Sequence, residues 1–164
     1  MDAPLPADNL AAFKSTAYSM ENIEALARQI DAKHALFIFD SCFSGTIFRM
    51  RGKAPPENIS EKTAHPVREF ITSGDENQKV PDQSIFRRQL EAGLRGAADL
   101  NRDGYVTGSE LGSFLEDTVT DYTRRAQTPR WGKMRDPNLD RGDIVFALGA
   151  QRMAAAPDVA PAAR

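Results

Sequence analysis

The sequence contains a single cysteine, Cys42, among 164 residues. One cysteine cannot form an internal disulfide, so the thiol suits a reducing compartment or a reactive role. The chain also lacks any apolar run near the roughly 18 residues of a membrane helix. Its first residues, Met1 to Leu10, do not combine the basic and apolar segments of a secretory signal. These absences predict a cytoplasmic protein with no membrane partner.

An excess of charge of one sign is also missing. The formal net charge is -2, which gives no reason to expect a nucleic acid as partner. Hydrophobic residues make up 41% of the chain and charged residues 27%, ordinary values for a globular domain. A chain of this length can bury a core of its own. We therefore expect one globular domain.

Apolar runs and helical periodicities alternate along the chain. Strands are predicted over 35–39, 67–72 and 144–148. Helices are predicted after Ser19, after Ser84 (burying Phe86, Leu90 and Leu94) and over 109–125 (burying Leu111, Phe114, Leu115, Thr118 and Tyr122). The run 35–39 is apolar on both faces, which favours a buried parallel strand. The alternation predicts an α/β fold, with a mostly parallel sheet flanked by helices.

Two segments lack an apolar pattern. Residues 49–66 carry four basic residues and three prolines, which predict an exposed linker. Residues 150–164 are rich in alanine and proline, which predicts a disordered tail. The expected domain therefore spans residues 1–149.

Cys42 follows the apolar run that ends at Phe39. Ligands of parallel sheets bind beyond the carboxyl ends of the strands, so this position suits a reactive thiol. A backbone N–H of the turn at Ser41 to Gly45 could stabilise an oxyanion. The thiolate is the nucleophilic form and would need a base to generate it. The alternative is a buried structural cysteine.

The string ALFIFDSCFSG, from Ala35 to Gly45, resembles the nucleophile segment of metacaspases and related bacterial caspase-like cysteine peptidases of the C14 class. The later strings EFITSG, QTP-x-WG and RGDIVFAL resemble further segments of that family in the same order, from about residue 15 to residue 148. The resemblance implies the C-terminal part of a caspase-like α/β sandwich with a Cys–His dyad.

The family resemblance also implies roles for individual residues. Cys42 would be the nucleophile, and Asp40 would line a pocket for the basic residue of a protein or peptide substrate cut after Arg or Lys. A carboxylate suits that pocket because it forms charge-assisted hydrogen bonds with a cation. The alternative for Asp40 is a turn residue at a strand end. The linker 49–66 matches the position where caspase-like chains are cut between subunits.

The catalytic histidine is missing from the expected position. In caspase-like enzymes it lies about 50 residues upstream of the cysteine, whereas 41 residues precede Cys42 and no His-x-Gly-His-Gly occurs. His34 is predicted at the far end of the cysteine's strand, and His65 lies in the linker. We expect an inactive chain whose base comes from an N-terminal part of the same domain. A fragment, a processed subunit and a degenerate homologue stay open.

Residues 99–110 match the EF-hand calcium loop at every required position, inside a helix-loop-helix predicted over 86–125. The oxygen ligands would come from Asp99, Asn101, Asp103, Tyr105, Thr107 and Glu110. Gly104 would allow the sharp turn. The alternative is a loop of Asx-turns that binds no ion. If Ca²⁺ binds, a second function is open, that of a non-catalytic caspase-like calcium-binding module.

Overall fold

The computed structural model describes residues 19–42, 48–49, 59–74, 78 and 85–149. They form a mixed α/β structure with one four-stranded sheet, one two-stranded sheet and several helices. The predicted tail 150–164 and the predicted helix cap Ser84 lie outside the described residues, as does Gly45. None of the helices in the described ranges is long and apolar enough to cross a membrane.

The chain divides into two units, 1–31 and 32–164. In the first unit, helix α1 covers Met20–Gln29. The Ser19 hydroxyl oxygen accepts the Asn22 N–H at 3.2 Å, the standard way to satisfy a free amide at a helix start. Glu24 and Arg28 form an ion pair one turn apart, at 2.8 Å. The helix predicted after Ser19 is confirmed.

The larger sheet lies in the second unit and has the strand order β1-β3-β5-β2. Its strands are β1 (His34–Cys42), β2 (Phe48–Arg49), β3 (Val67–Gly74) and β5 (Arg130–Met134). β1 is parallel to β3, whereas the pairs β3–β5 and β5–β2 are antiparallel. Among the described strands, the prediction of a mostly parallel sheet is therefore wrong.

The sheet differs from the prediction because β5 carries no apolar pattern. Its sequence, RWGKM, contains two basic residues and a glycine, a composition typical of a loop. Trp131 and Met134 are nevertheless buried, and Lys133 is only 6% exposed. Burial of Lys133 is possible because carboxylates lie beside its ammonium group. Local pattern could not indicate this strand, because its partners are distant in sequence.

Part of the predicted linker is also structured. Helix α2 covers Ile59–Ala64. The side chain of Lys62 is buried, with its Nζ 3.8 Å from Asp143 Oδ2. The predicted linker therefore contains a helix, in which Ser60, Glu61 and Ala64 are exposed and Lys62 is buried.

The remaining elements form the helix-loop-helix and the small sheet. Helix α3 covers Ile85–Ala92 and continues into a π-helical turn, Gly93–Ala97. Strand β4 (Tyr105–Thr107) leads directly into helix α4 (Gly108–Tyr122). Strand β6 (Val145–Ala147) pairs antiparallel with β4.

One core cluster joins these helices to the larger sheet. Its buried side chains include Ile71, Phe86, Leu111, Leu115, Val119 and Trp131. Each such side chain contributes about 1.5–3 kcal/mol when it leaves water. The predicted burial of Leu111 and Leu115 is confirmed, but Tyr122 is 69% exposed. Val119 takes its place because it follows Leu115 by one turn on the same helix face.

Candidate functional site

The strand β1 extends past its predicted end and carries Cys42 as its last residue. The Cα of Cys42 is paired with that of Gly74, the last residue of β3, and the register shifts between Phe39 and Cys42. Phe37 stacks on Phe70, with 4.8 Å between ring centroids, which fixes the two strands against each other. The backbone of Cys42 therefore lies at the carboxyl end of a parallel pair, as the sequence predicts.

Asp40 belongs to the same end of β1, and its side chain is exposed to solvent. Ser41 lies between the two, also within the strand. The predicted turn residue Gly45 lies outside the described residues. An exposed carboxylate two residues before a cysteine leaves the cation-binding role of Asp40 available.

Both histidines of the chain lie at the opposite end of this sheet. His34 is the first residue of β1, where it pairs with Val67. Its Nε2 is 3.0 Å from the carbonyl oxygen of His65, and a carbonyl can only accept, so Nε2 carries a proton. Eight residues separate His34 from Cys42, which in a strand is about 26 Å. His34 and His65 therefore cannot reach a group attached to the backbone of Cys42.

Buried polar groups stand next to the carboxyl end of β3. Gln127 and Ser73 are both fully buried, and the Gln127 amide donates to the Ser73 carbonyl at 3.3 Å. Gln78 binds the backbone N–H and the hydroxyl of Thr128, at 2.7 and 3.2 Å. The sequence does not indicate these contacts, because the strings TSG (with Ser73) and QT (with Gln127 and Thr128) contain no pattern that predicts a contact between them. They attach the segment after α4 to the edge that carries Cys42.

The predicted cation loop has the backbone that its sequence requires. Gly104, at position 6, has φ of 86°, a conformation that glycine adopts without steric cost. The carboxylate of Asp99 accepts the N–H groups of Asp103 and Gly104, at 3.1 and 3.0 Å. The side-chain oxygen of Asn101 accepts the same Asp103 N–H at 2.9 Å. The oxygens of positions 1 and 3 therefore converge on one side of the loop.

The backbone of Tyr105 faces the same side. Gly104 and Gly108 are both hydrogen-bonded to the 144–148 segment. In an antiparallel pair, residues that bond to the partner strand alternate with residues that do not, so Tyr105, next to Gly104, faces away from that segment. The N–H of Tyr105 instead donates to Asp103 Oδ1 at 2.9 Å. In an antiparallel strand the N–H and C=O of one residue point the same way. The predicted position-7 ligand, the Tyr105 carbonyl, therefore faces the loop and not β6.

Glu110 lies in the first turn of α4 and forms a capping box with Thr107. Its Oε2 accepts the Thr107 N–H at 2.9 Å and the Thr107 hydroxyl at 2.8 Å. In the part of the chain that the structure describes, no three His, Cys, Asp or Glu side chains are grouped as for a metal ion. The predicted donors are all oxygens, which is the set that Ca²⁺ prefers, but Glu110 would have to turn from its cap to complete it.

A cluster of buried charges underlies the start of α4. Lys133 Nζ lies 3.6 Å from Glu69 Oε1 and 3.8 Å from Asp143 Oδ2, and it also donates to the Gly142 carbonyl. Burial raises the pKa of Glu69 well above its ordinary value, the charge of Asp143 raises it further, and Lys133 acts in the opposite direction. Sequence reasoning missed this cluster because its members come from distant segments.

Comparisons with known proteins add no family or neighbour to these observations. No protein-family model, no curated protein and no solved structure matches the chain. The resemblance of residues 35–45 to a caspase-like nucleophile segment therefore stays a prediction. The function is proposed from the residues and their geometry.

Proposed function

We propose that this chain is the C-terminal part of a caspase-like cysteine endopeptidase that cuts after Arg or Lys. One observation supports the proposal above the others: Cys42 ends a strand that runs parallel to its neighbour, with the exposed carboxylate of Asp40 two residues before it. Parallel sheets bind ligands at that edge. The nucleophile and the group that selects the substrate would then lie on one short piece of strand.

In the proposed reaction, the Cys42 thiolate attacks the carbonyl carbon of the scissile peptide bond. Asp40 binds the guanidinium or ammonium group of the residue before that bond. A backbone N–H of Ser41 or Gly45 donates to the developing oxyanion. A base takes the thiol proton and returns it to the leaving amine, and water then hydrolyses the thioester to free the thiolate.

The base of this proposed dyad comes from outside the chain. Both histidines lie at the amino end of β1, about 26 Å of strand away from Cys42. An N-terminal part of the same domain would supply the missing histidine. The isolated chain is then expected to bind, at most, the basic side chain of a substrate without cutting it.

The test begins with the reading frame upstream of Met1, where an in-frame His-x-Gly-His-Gly segment is expected. The protein that includes this upstream segment is then treated with a chloromethyl ketone carrying arginine, and mass spectrometry locates the adduct. Labelling at Cys42 that an arginine peptide suppresses, and an aspartate peptide does not, supports the proposal. Absence of the upstream segment, or labelling that is indifferent to arginine, contradicts it.

A second function, calcium binding, is favoured by a separate observation. Gly104 has the positive φ that position 6 requires, and the Tyr105 carbonyl faces the side of the loop where the oxygens of Asp99 and Asn101 converge. Ca²⁺ would be held by these groups together with Asp103, Thr107 and Glu110. The chain would then be a calcium-binding module, with or without peptidase activity.

Calorimetry with Ca²⁺ tests this second function on the full chain. One ion per chain is expected for the wild type, and no binding heat for Glu110→Gln. Glutamine can still accept the capping-box hydrogen bond at position N3 of the helix. The variant therefore removes the charged ligand and leaves the helix cap in place. Equal titration curves for the two proteins would exclude the loop as the binding site.

A further inference from the structure

The 143–148 segment runs antiparallel along the second half of the proposed cation loop. Leu148 N–H donates to the Gly104 carbonyl at 2.9 Å, and Gly108 N–H donates to the Ile144 carbonyl at 2.7 Å. Between these bonds, β6 pairs residue by residue with β4. Positions 6 to 10 of the loop are thus bonded along one edge of β4 to one continuous stretch of the same chain.

Asp143 extends this contact to position 11. Its carboxylate accepts the Ser109 hydroxyl at 2.7 Å and the Ser109 N–H at 3.3 Å. Ser109 precedes Glu110, the residue that would bind the ion with both oxygens. An acidic side chain at the first turn of a helix also interacts favourably with the helix dipole. Asp143 therefore holds the turn from which Glu110 projects.

Asp143 is itself fixed by the larger sheet. It is 3% exposed, and its Oδ2 is 3.8 Å from the ammonium groups of both Lys133 and Lys62. Glu69 of β3 packs against the same turn beside Asp143, since a Cβ at Gly108 would collide with the Glu69 carboxylate and crowd that of Asp143. The start of α4 thus rests against two neighbouring buried carboxyl groups, those of Glu69 and Asp143.

We infer that Asp143 is a positioning residue for the cation site. It belongs to the same chain and holds the end of the loop that carries Glu110, in a sequence that contains no second loop of this kind. The inference rests on the proposed calcium binding. Its physical basis is that groups behind the ligands set their orientation, and losing such a group commonly weakens metal binding by about 10–100-fold.

The test is calorimetry with Ca²⁺ on the full chain, comparing wild type, Asp143→Asn and Asp136→Asn. Asp136 accepts the Asn138 N–H at 3.0 Å in a turn outside the loop, so its variant loses the same charge at a position that is neither in the loop nor in α4. We expect about tenfold weaker binding for Asp143→Asn. Binding by Asp136→Asn should stay within about twofold of wild type, since a partly exposed charge outside the loop is screened.

A second pair of variants with smaller changes tests the same role if Asp143→Asn does not fold. Ser109→Ala removes the 2.7 Å hydrogen bond and keeps the buried charges, whereas Ser113→Ala changes the next turn of the same helix. We expect weaker Ca²⁺ binding for the first only, measured well below the unfolding temperature of each ion-free protein. A flat wild-type trace would overturn the calcium proposal itself. A binding wild type with unchanged affinity in Ser109→Ala, and in Asp143→Asn where it folds, would overturn the role of Asp143 alone.

Discussion

The carboxyl end of β1 and the cation loop differ in how much of their chemistry one segment supplies. All six predicted ligands of the loop fall within residues 99–110, and their backbone has the required shape. At β1 the chain supplies Cys42 and Asp40, while its two histidines lie at the other end of the strand. The proposed cation site has all its ligands within twelve residues, whereas the proposed peptidase site has only half of its dyad.

This difference shows what local sequence can encode. A loop that binds a cation needs oxygens at fixed offsets and one glycine, and consecutive residues can provide them. A nucleophile and its base face each other across a sheet edge, so they come from segments far apart in sequence. The loop should therefore function in the isolated chain, and the peptidase site should not.

Glu110→Gln gives the sharpest test of the loop as a self-contained site. Loss of a directly binding carboxylate should lower Ca²⁺ affinity by more than about a hundredfold, beyond what outer groups contribute. The capping box survives with glutamine, so the free energy of unfolding without ion should change by less than about 0.5 kcal/mol. Calorimetry and urea unfolding measure the two quantities. A large loss of stability with unchanged affinity would mean that Glu110 is a helix cap only.

Asp40→Asn tests the half-site at β1 in the protein that includes the upstream histidine segment. Hydrogen bonds to a charged group contribute about 1.5–3 kcal/mol, so kcat/KM for an arginine peptide should fall about 10–150-fold. Asp31→Asn, which removes an exposed carboxylate three positions before β1 in the sequence, is the matched control. An equal loss of kcat/KM in both variants would show that Asp40 does not line the specificity pocket.

Gly104→Ala tests whether the loop's shape depends on its glycine. The φ of 86° is unfavourable for any residue with a Cβ, so the free energy of unfolding should fall by about 1–2 kcal/mol. Gly149→Ala is the control, because a Cβ there would meet no atom within 4 Å. Urea unfolding compares the two. If both variants are as stable as wild type, the positive φ is not a constraint of the folded loop.

Glu69→Gln tests the buried charges that connect the loop to the sheet, and its effect should be the smallest. Burial and the charge of Asp143 raise the pKa of Glu69, so the folded chain keeps this proton to higher pH than the unfolded chain does. Stability should therefore fall as pH rises from the ordinary glutamate pKa to the raised one. Glutamine mimics the protonated form and should remove this fall, which urea unfolding at several pH values would reveal. Exposed Glu91→Gln should retain it.

Elements with a local signal were predictable from the sequence. Ser19 caps α1, the apolar run after His34 forms β1, and Leu111 and Leu115 belong to the core. The cation loop was likewise recognisable from twelve consecutive residues, and Gly104 has the expected backbone. In each case neighbours in sequence determine the conformation.

Elements that depend on distant partners were not predictable. β5 is buried although its sequence resembles a loop, because the carboxyl groups of Glu69 and Asp143 lie beside the ammonium group of Lys133. α2 lies where a linker was expected, and Lys62 is buried there for the same reason. The 144–148 run was expected to be a strand, but its pairing with β4 follows only from the folded topology.

The most direct test of the account is the hydrolysis rate of an arginine fluorogenic peptide, measured for the isolated chain and for the protein joined to its upstream segment. We predict background hydrolysis by the isolated chain, with or without Ca²⁺, because neither His34 nor His65 can serve Cys42. The joined protein should hydrolyse the peptide, and Cys42→Ala should abolish that activity. Hydrolysis by the isolated chain that Cys42→Ala removes would contradict the account, as would an inert joined protein.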